Sequence, residues 1–345
     1  MSATLRQMRK ISHVARAAPY LSVPQTVSIV GAPFSLGQPR VGVELGPKQL
    51  REHGLAEDVM NWGWRVVDEG DIESDIVISS STPRHDERPF VAHHAEAVGK
   101  ANHMLAEKVH EVCHKGHFSL VLGGDHSVGI GSLAGMLRAR PNAGVCWVDA
   151  HADIHTAATS PSKNIHGMVL SFLTGLQDPR EVPGFDWLFD YFAKDGEWVP
   201  PLSPKDLVYV GLRDLEYEEK VHILESGIRY YTMHDVDRFG IGGVMQRVVS
   251  HLTEDGERPL HLSFDVDAVD PLYVPATGTA VRGGLSFREA HFICEELHNT
   301  GMLGSMDCVE VNPLLADPSR ADSSADVAKS LVVSALGDNI LPSAH

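Results

Sequence analysis

The sequence predicts an α/β fold, a parallel sheet with helices on both faces, on three observations. Past Gly116 the chain alternates short apolar runs with helical patterns, the rhythm of strands joined by covering helices. Three of those runs end in clusters of Asp and His, where open parallel sheets bind ligands. Finally, 345 residues with a 43% apolar fraction can fill one large core.

In chain order, residues 26–31 (TVSIVG) read as a buried strand. The glycines and prolines that follow mark a loop up to Gly46, and Pro47 suits the first turn of a helix, where its missing N–H costs nothing. A second strand is expected at 64–67 and a polar surface loop at 70–90. Residues 90–115 predict a long amphipathic helix with Val98, Ala101, Leu105, Val109 and Val112 on one face. Its His93, His94, His103, His110 and His114 read as solvated helix residues, since no acidic partner set completes a metal site. Further strands are expected at 118–122, 145–148, 207–210, 229–231, 261–264 and 306–311. Helical patterns include 244–252, 287–299 and 325–335, and 177–204 reads as a long excursion. The expected organisation is one domain over 25–345.

The net charge of −17 argues against a basic nucleic-acid-binding surface. No apolar run approaches the ~20 residues that span a bilayer. Four cysteines without a CxxC pair read as buried free thiols of a reducing compartment. Residues 1–43 carry Arg6, Arg9, Lys10, Arg16 and Arg40 but no acid, with Ser2, Ser12 and Ser22 interspersed. That is the pattern of a mitochondrial transit segment, expected over 1–24, with a cytoplasmic location as the alternative.

The chemistry concentrates at 147–156 (WVDAHADIHT), where Asp149, His151 and Asp153 follow a strand at steps of two and share one side. Bare charges are costly to bury, so a cation is the simplest remedy. Strand 118–122 leads to Asp125 and His126, and 261–264 leads to Asp265, Asp267 and Asp270. Ligands that are mostly carboxylate, with two imidazoles and no thiolate, fit Mn²⁺, with Zn²⁺, Co²⁺ or Fe²⁺ as alternatives. Four carboxylates and two imidazoles suit two ions sharing a water, so the chemistry is hydrolysis by a metal-bridging hydroxide.

The blocks GGDHS at 123–127, DAHADI at 149–154, SFDVDAVDP at 263–271 and PATGTAVRGGLSFRE at 275–289 resemble the ureohydrolase family and, within it, the arginases. GVELGP at 42–47, GLRD at 211–214 and EVNP at 310–313 extend the likeness from about Val27 to Gly337. The resemblance implies a three-layer α/β/α sandwich around a mainly parallel sheet. It also implies two manganese ions per subunit, hydrolysis of L-arginine to L-ornithine and urea, and a homotrimer. By that resemblance His126, Asp149, Asp153 and Asp265 hold one ion, and His151, Asp149, Asp265 and Asp267 the other. Asp153 also orients the nucleophile, His166 shuttles protons and Glu310 binds the guanidinium. Thr279 adds a polar contact, while Ser162 and Asn164 match the loop that reads the α-carboxylate.

Three positions depart from the family: His155 replaces Asn, Glu216 replaces Asp and Lys163 replaces a common glycine, adding charge near the carboxylate. They keep agmatine or another guanidino acid open as alternative substrate. Two other readings compete: a catalytically silent relative, disfavoured by the complete ligand set, and a single-zinc deacetylase relative, disfavoured by surplus ligands. The chain stops about ten residues after its last apolar helix, so the C-terminal arm of some arginases is expected to be short or absent.

Overall fold

A computed structural model of the chain describes residues 18–22, 24–72 and 92–339. Eight strands form one sheet: β1 Thr26–Ala32, β2 Arg65–Asp71, β3 Phe118–Gly123, β4 Gly144–Val148, β5 Leu207–Leu212, β6 Arg229–Thr232, β7 Leu260–Asp265 and β8 Leu303–Val309. Their order is β2-β1-β3-β8-β7-β4-β5-β6, with every pairing parallel. The described helices are α1 Gly46–Glu52, α2 Leu55–Asn61, α3 Ala95–His114, α4 Gly129–Ala139, α5 Val169–Thr174, α6 Asp186–Phe192, α7 Tyr217–Ser226, α8 Met233–Leu252, α9 Phe287–Asn299 and α10 Pro318–Ala335.

Side chains of successive strand residues point to opposite faces, and each face has its own core. Ile29, Leu120, Val148, Val210, Leu262 and Met306 pack with α1, α2, α8, α9 and α10. Val30, Val121, Trp147 and Tyr209 pack on the other face with α3, α4, α5 and α6. The result is the expected three-layer sandwich. The amphipathic stripe expected on α3 is the one that packs: Val98, Ala101, Leu105, Val109 and Val112 are buried. At the margin, β2 is an exposed edge whose Asp68 and Asp71 are bound by Arg51 of α1, a charged arrangement that discourages further pairing.

The path of the chain explains where the site lies. After β3 the chain skips two strand positions to β4 and runs outward through β5 and β6. It then returns to place β7 and β8 in the gap. The C-terminal ends of β3, β8, β7 and β4 are thus neighbours, although their residues span positions 118 to 309.

All eight expected strands form, with shifted bounds. β2 extends four residues past its expected end, and β8 runs Leu303–Val309, so Glu310 and Val311 lie beyond it. The helix expected at 90–115 begins at Ala95, and residues 90 and 91 lie outside the described residues. Gly70 and Asp71 of the expected loop belong to β2, and 73–91 are likewise outside them. The helix expected from 244 begins at Met233 and contains a non-helical Gly240. The terminal helix starts at Pro318, where the Asp317 carboxylate accepts the Arg320 N–H, a cap the apolar pattern alone does not reveal. The folded chain also begins before residue 25. Ala18 and Leu21 are buried, and the Tyr20 hydroxyl donates to the Met302 carbonyl. All four cysteines are free and buried. Among the described residues no helix is long and apolar enough to cross a membrane.

Candidate metal centre

Each strand end contributes through a tight local turn. After β3, Gly124 lies so close to Phe34 that a Cβ would stand 1.9 Å from the Phe34 carbonyl oxygen, so only glycine fits. Asp125 caps the following turn, its carboxylate accepting the Ser127 N–H at 2.9 Å, and this leaves His126 facing inward. After β4, Asp149 accepts the His151 N–H at 2.7 Å. At the end of β7, Asp265 accepts the Asp267 N–H at 2.7 Å.

These turns converge. His126 Nδ1 lies 3.0 Å from Asp149 Oδ2, 3.1 Å from Asp153 Oδ2 and 3.2 Å from Asp265 Oδ2. His151 Nδ1 lies 3.4 Å from Asp149 Oδ1 and 3.1 Å from Asp267 Oδ2. Asp149 therefore turns one oxygen to each imidazole. Ligand atoms of His126, Asp149 and Asp265 fall within 4.8 Å of one another, as do those of Asp149, His151 and Asp267.

The electrostatics show what this set lacks. Burial, then the charges of Asp267 and Asp149, push the Asp265 carboxyl well above its usual range. Burial and the Asp149 charge likewise raise Asp153. Burial disfavours imidazolium at His126, yet Asp149, Asp153 and Asp265 together hold its pKa far up. His126 Nδ1 is nonetheless a buried atom with no directed hydrogen bond. A nitrogen ringed by three carboxylates without bonding any of them is what a cation between them would complete. The donors are oxygen and imidazole nitrogen, which fits a hard or borderline divalent ion.

Surrounding groups hold the ligands in place. His126 Nε2 pairs with Ser263 Oγ at 2.9 Å, and Trp147 stacks on the ring at 4.1 Å while its indole N–H donates to Asp149 at 3.1 Å. Asp153 has a left-handed backbone (φ 50) and so does Glu310 (φ 67), a strain of about 1–3 kcal/mol each for non-glycine residues. The Tyr209 hydroxyl clamps the Ala152 carbonyl at 2.8 Å, and Leu170 N–H donates to the Asp153 carbonyl at 2.8 Å. Glu310 N–H donates to Gly124. Trp147 and Ser263 open the singled-out stretches WVDAHADIHT and SFDVDAVDP, but strand composition reads both, like Tyr209, as core, so their supporting roles are not legible there. Asp214, 3.9 Å from His151 Nε2, sits in the recognised GLRD block, which is the signal that identifies it.

A cavity of about 220 Å³ opens beside the cluster, lined in part by Asp153, His155, Ser162, His166, Glu216 and Thr279. His166 Nδ1 lies 2.9 Å from the Gly37 carbonyl, and burial pushes its pKa down to about 4. Thr279 Oγ1 donates to Asp267 at 2.7 Å, so its first partner is a candidate metal ligand. Glu310 Oε1 accepts the His126 N–H at 2.9 Å. Burial, then the charges of Asp265 and Asp125, hold Glu310 well above the carboxylate range. His155 Nε2 stands 2.6 Å from Glu216 Oε2, and the nearby Glu219 is raised by burial to about 7.

Three expectations are corrected. Asp270 is not drawn into the cluster: its carboxylate accepts the N–H groups of Leu272, Gly283 and Gly284, holding a turn. Lys163 does not line the cavity, because its ammonium donates to the Ala157 and Ala158 carbonyls. Its backbone is left-handed (φ 58), the conformation that makes glycine common there. Asn164 is also absent from the lining, with its N–H directed to Ser162 Oγ at 3.3 Å.

Residues 25–337 match the Arginase family. Arginase-1 of Homo sapiens is 44% identical over 317 residues, 91% of this chain and 93% of that protein. The arginase structure from Bacillus caldovelox superposes with a TM-score of 0.82 at 38% identity, covering 92% of this chain and 100% of that one. Entamoeba histolytica arginase in complex with L-ornithine gives 0.77 at 30% identity, covering 91% and 99%.

Proposed function

The chain belongs to the arginase family, and we propose that His126, Asp149, His151, Asp153, Asp265 and Asp267 hold two manganese ions in each subunit. The protein is a hydrolase that converts L-arginine and water to L-ornithine and urea. By the family resemblance, His126, Asp149, Asp153 and Asp265 would hold one ion, and His151, Asp149, Asp265 and Asp267 the other; the contacts of His126 with Asp149, Asp153 and Asp265 and of His151 with Asp149 and Asp267 support that division. The observation that carries it is Asp149, which offers Oδ2 to the side of His126 and Oδ1 to that of His151.

When bound, two such cations supply Lewis acidity that ionises a shared water near neutral pH. Asp153 would accept a hydrogen bond from the attacking water and aim it. The Glu310 carboxylate takes the planar N–H pair of the guanidinium, whose positive charge offsets the desolvation of burial and the repulsion from Asp265 and Asp125. Attack forms the O–C bond at the guanidinium carbon. As the bond from that carbon to the ornithine-side nitrogen breaks, the proton that His166 Nε2 took from the attacking water returns to the leaving amine, and the new hydroxyl's proton also passes to that amine as the urea carbonyl forms. At the amino-acid end, Glu216 meets the α-ammonium, while His155 and Ser162 serve the α-carboxylate and Thr279 steadies Asp267.

Urea assays with arginine and agmatine, before and after Mn²⁺ addition, test this reading. Arginine is expected to be favoured by ~100-fold or more in kcat/KM, because agmatine leaves the carboxylate-binding groups unpaired. Agmatine or another guanidino acid remains the second reading, motivated by the 2.6 Å His155–Glu216 contact, which already occupies Glu216. Urea from agmatine alone would overturn the first.

Rate should rise with pH from roughly 6 to 9, since ligation and the nucleophile both require proton loss. His166, at about 4, is neutral throughout that range and adds no second limb. Its depressed pKa instead acts on stability. Between its ordinary value near ~6.5 and about 4 the unfolded chain binds a proton the folded one refuses. Stability therefore falls as pH drops through that window, to be read as a decreasing urea-unfolding midpoint.

We further propose a homotrimer and mitochondrial targeting by the N-terminal segment, expected over 1–24 but ending before the packed Ala18 and Leu21, followed by a single domain to residue 345. Exposed Phe239 on α8 and Phe287 on α9 support contact between copies. Sedimentation gives the subunit number, and a fluorescent fusion of residues 1–24 tests the targeting. Because Ala18 and Leu21 pack into the body, processing is expected before Ala18.

A further inference from the structure

We propose that Asp125 is a positioning residue for the reaction: through the backbone of Gly37 it fixes the place and the tautomer of His166. As a turn cap, Asp125 needs only one oxygen, and Oδ1 fills that role with the Ser127 N–H at 2.9 Å. Oδ2 reaches 88 positions back along the chain and accepts the Gly37 N–H at 2.8 Å. The same Gly37 then offers its carbonyl to His166, whose backbone N–H lies at 3.0 Å and ring Nδ1 at 2.9 Å. Asp125 and the imidazole are thus tied to the two sides of one residue, Gly37.

Two physical points make that tie a constraint on the ring. A carbonyl oxygen only accepts, so Nδ1 must carry the hydrogen, and Nε2 is the nitrogen left to take and return a proton. The Gly37 peptide also has no freedom to shift toward Asp125. A Cβ there would stand 2.5 Å from both Asp125 Oδ1 and Ser127 Oγ, so the loop is seated against the carboxylate with no space between. Asp125 is fully buried and does not line the cavity, so its influence passes through Gly37. An amide at 125 satisfies one of the two backbone donors. Its NH₂ group faces the other donor, and the loop carrying the Gly37 carbonyl moves.

The inference rests on His166 as the proton carrier, and the experiment separates the two. Manganese-loaded full-length protein is assayed with arginine as wild type, His166→Ala, Asp125→Asn and the double variant, with bound manganese measured for each. His166→Ala is expected to lower kcat about 100-fold. Asp125→Asn should lower kcat about tenfold, leaving KM within about twofold and manganese at the wild-type level. The double variant should be no slower than His166→Ala alone, and free imidazole should restore both to the same rate. Losses that multiply in the double variant, or manganese missing from Asp125→Asn, would place the effect of Asp125 elsewhere and overturn the proposal. Wild-type kcat in His166→Ala would remove the proton-carrier role and the positioning role of Asp125 with it. If Asp125→Asn yields no folded protein, Gly37→Ala replaces it, with the same tenfold loss and the same non-additivity expected.

Discussion

Asp265→Asn is expected to lower kcat/KM by ~10³-fold or more, equivalent to about 4 kcal/mol of lost transition-state stabilisation. Asp265 Oδ2 faces His126 at 3.2 Å, while Oδ1 is committed to the Asp267 N–H at 2.7 Å. An amide keeps its oxygen on one side and puts a donating NH₂ on the other. With the oxygen toward Asp267, the NH₂ group points at the cation position. With the oxygen reversed, it meets the Asp267 N–H. Both choices remove a negative charge that the proposed two-ion site would share. Bound manganese should fall below two per chain, while circular dichroism stays native. Retention of two ions with a rate within about tenfold of wild type would remove Asp265 as a bridge.

Glu310→Gln tests the other half of the site. Glutamine can still accept the His126 N–H that Glu310 now holds at 2.9 Å, so the metal ligands should stay in place. What is lost is the charge that faces the guanidinium. A hydrogen bond to a charged group contributes about 1.5–3 kcal/mol, so kcat/KM for arginine should fall roughly 10- to 100-fold. Bound manganese should remain at the wild-type level. A fall in metal content instead would mean that Glu310 supports the ligands rather than the substrate. The two variants thus separate metal retention from substrate capture.

Much of this arrangement is legible in the sequence because its signals are local. A run such as VCWV followed by Asp, His and Asp at steps of two states both a buried strand and a polar convergence. Helix α9 matches its expected bounds, because Ser286 and Glu289 form a capping box before a strong apolar stripe. Helix α8 is half hidden: the apolar pattern marks it only from Val244, whereas the structure begins it at Met233 and kinks it at the non-helical Gly240. The end of β8 is misread for a different reason. The apolar alternation continues through Glu310 and Val311, but Glu310 takes a left-handed backbone that no propensity announces.

The site shows the same division. Ligand positions are visible as residue types at a spacing, but which Asp serves a cation and which a backbone turn is not. Asp125 and Asp270 sit in the same kind of cluster as Asp149, and both are spent on backbone N–H groups. Inside the sheet, His261 of β7 pairs with Asp307 of β8 at 3.2 Å and with Ser305 at 2.9 Å, a polar contact buried in runs that read as apolar strands. Such partners come from register between strands 40 or more residues apart, which is tertiary information. Lys163 shows the limit of reading charge from sequence: its backbone is where glycine would be, but its ammonium is bound to loop carbonyls.

The proposed site is a pair of cations held between two imidazoles by shared carboxylates. The most direct measurement is to strip the protein with a chelator, titrate Mn²⁺ back, and follow bound metal and urea from arginine together. Two ions per chain are predicted, with urea formation reaching its maximum only as the second site fills. Saturation at one ion per chain, or full urea formation from the stripped protein, would contradict the account.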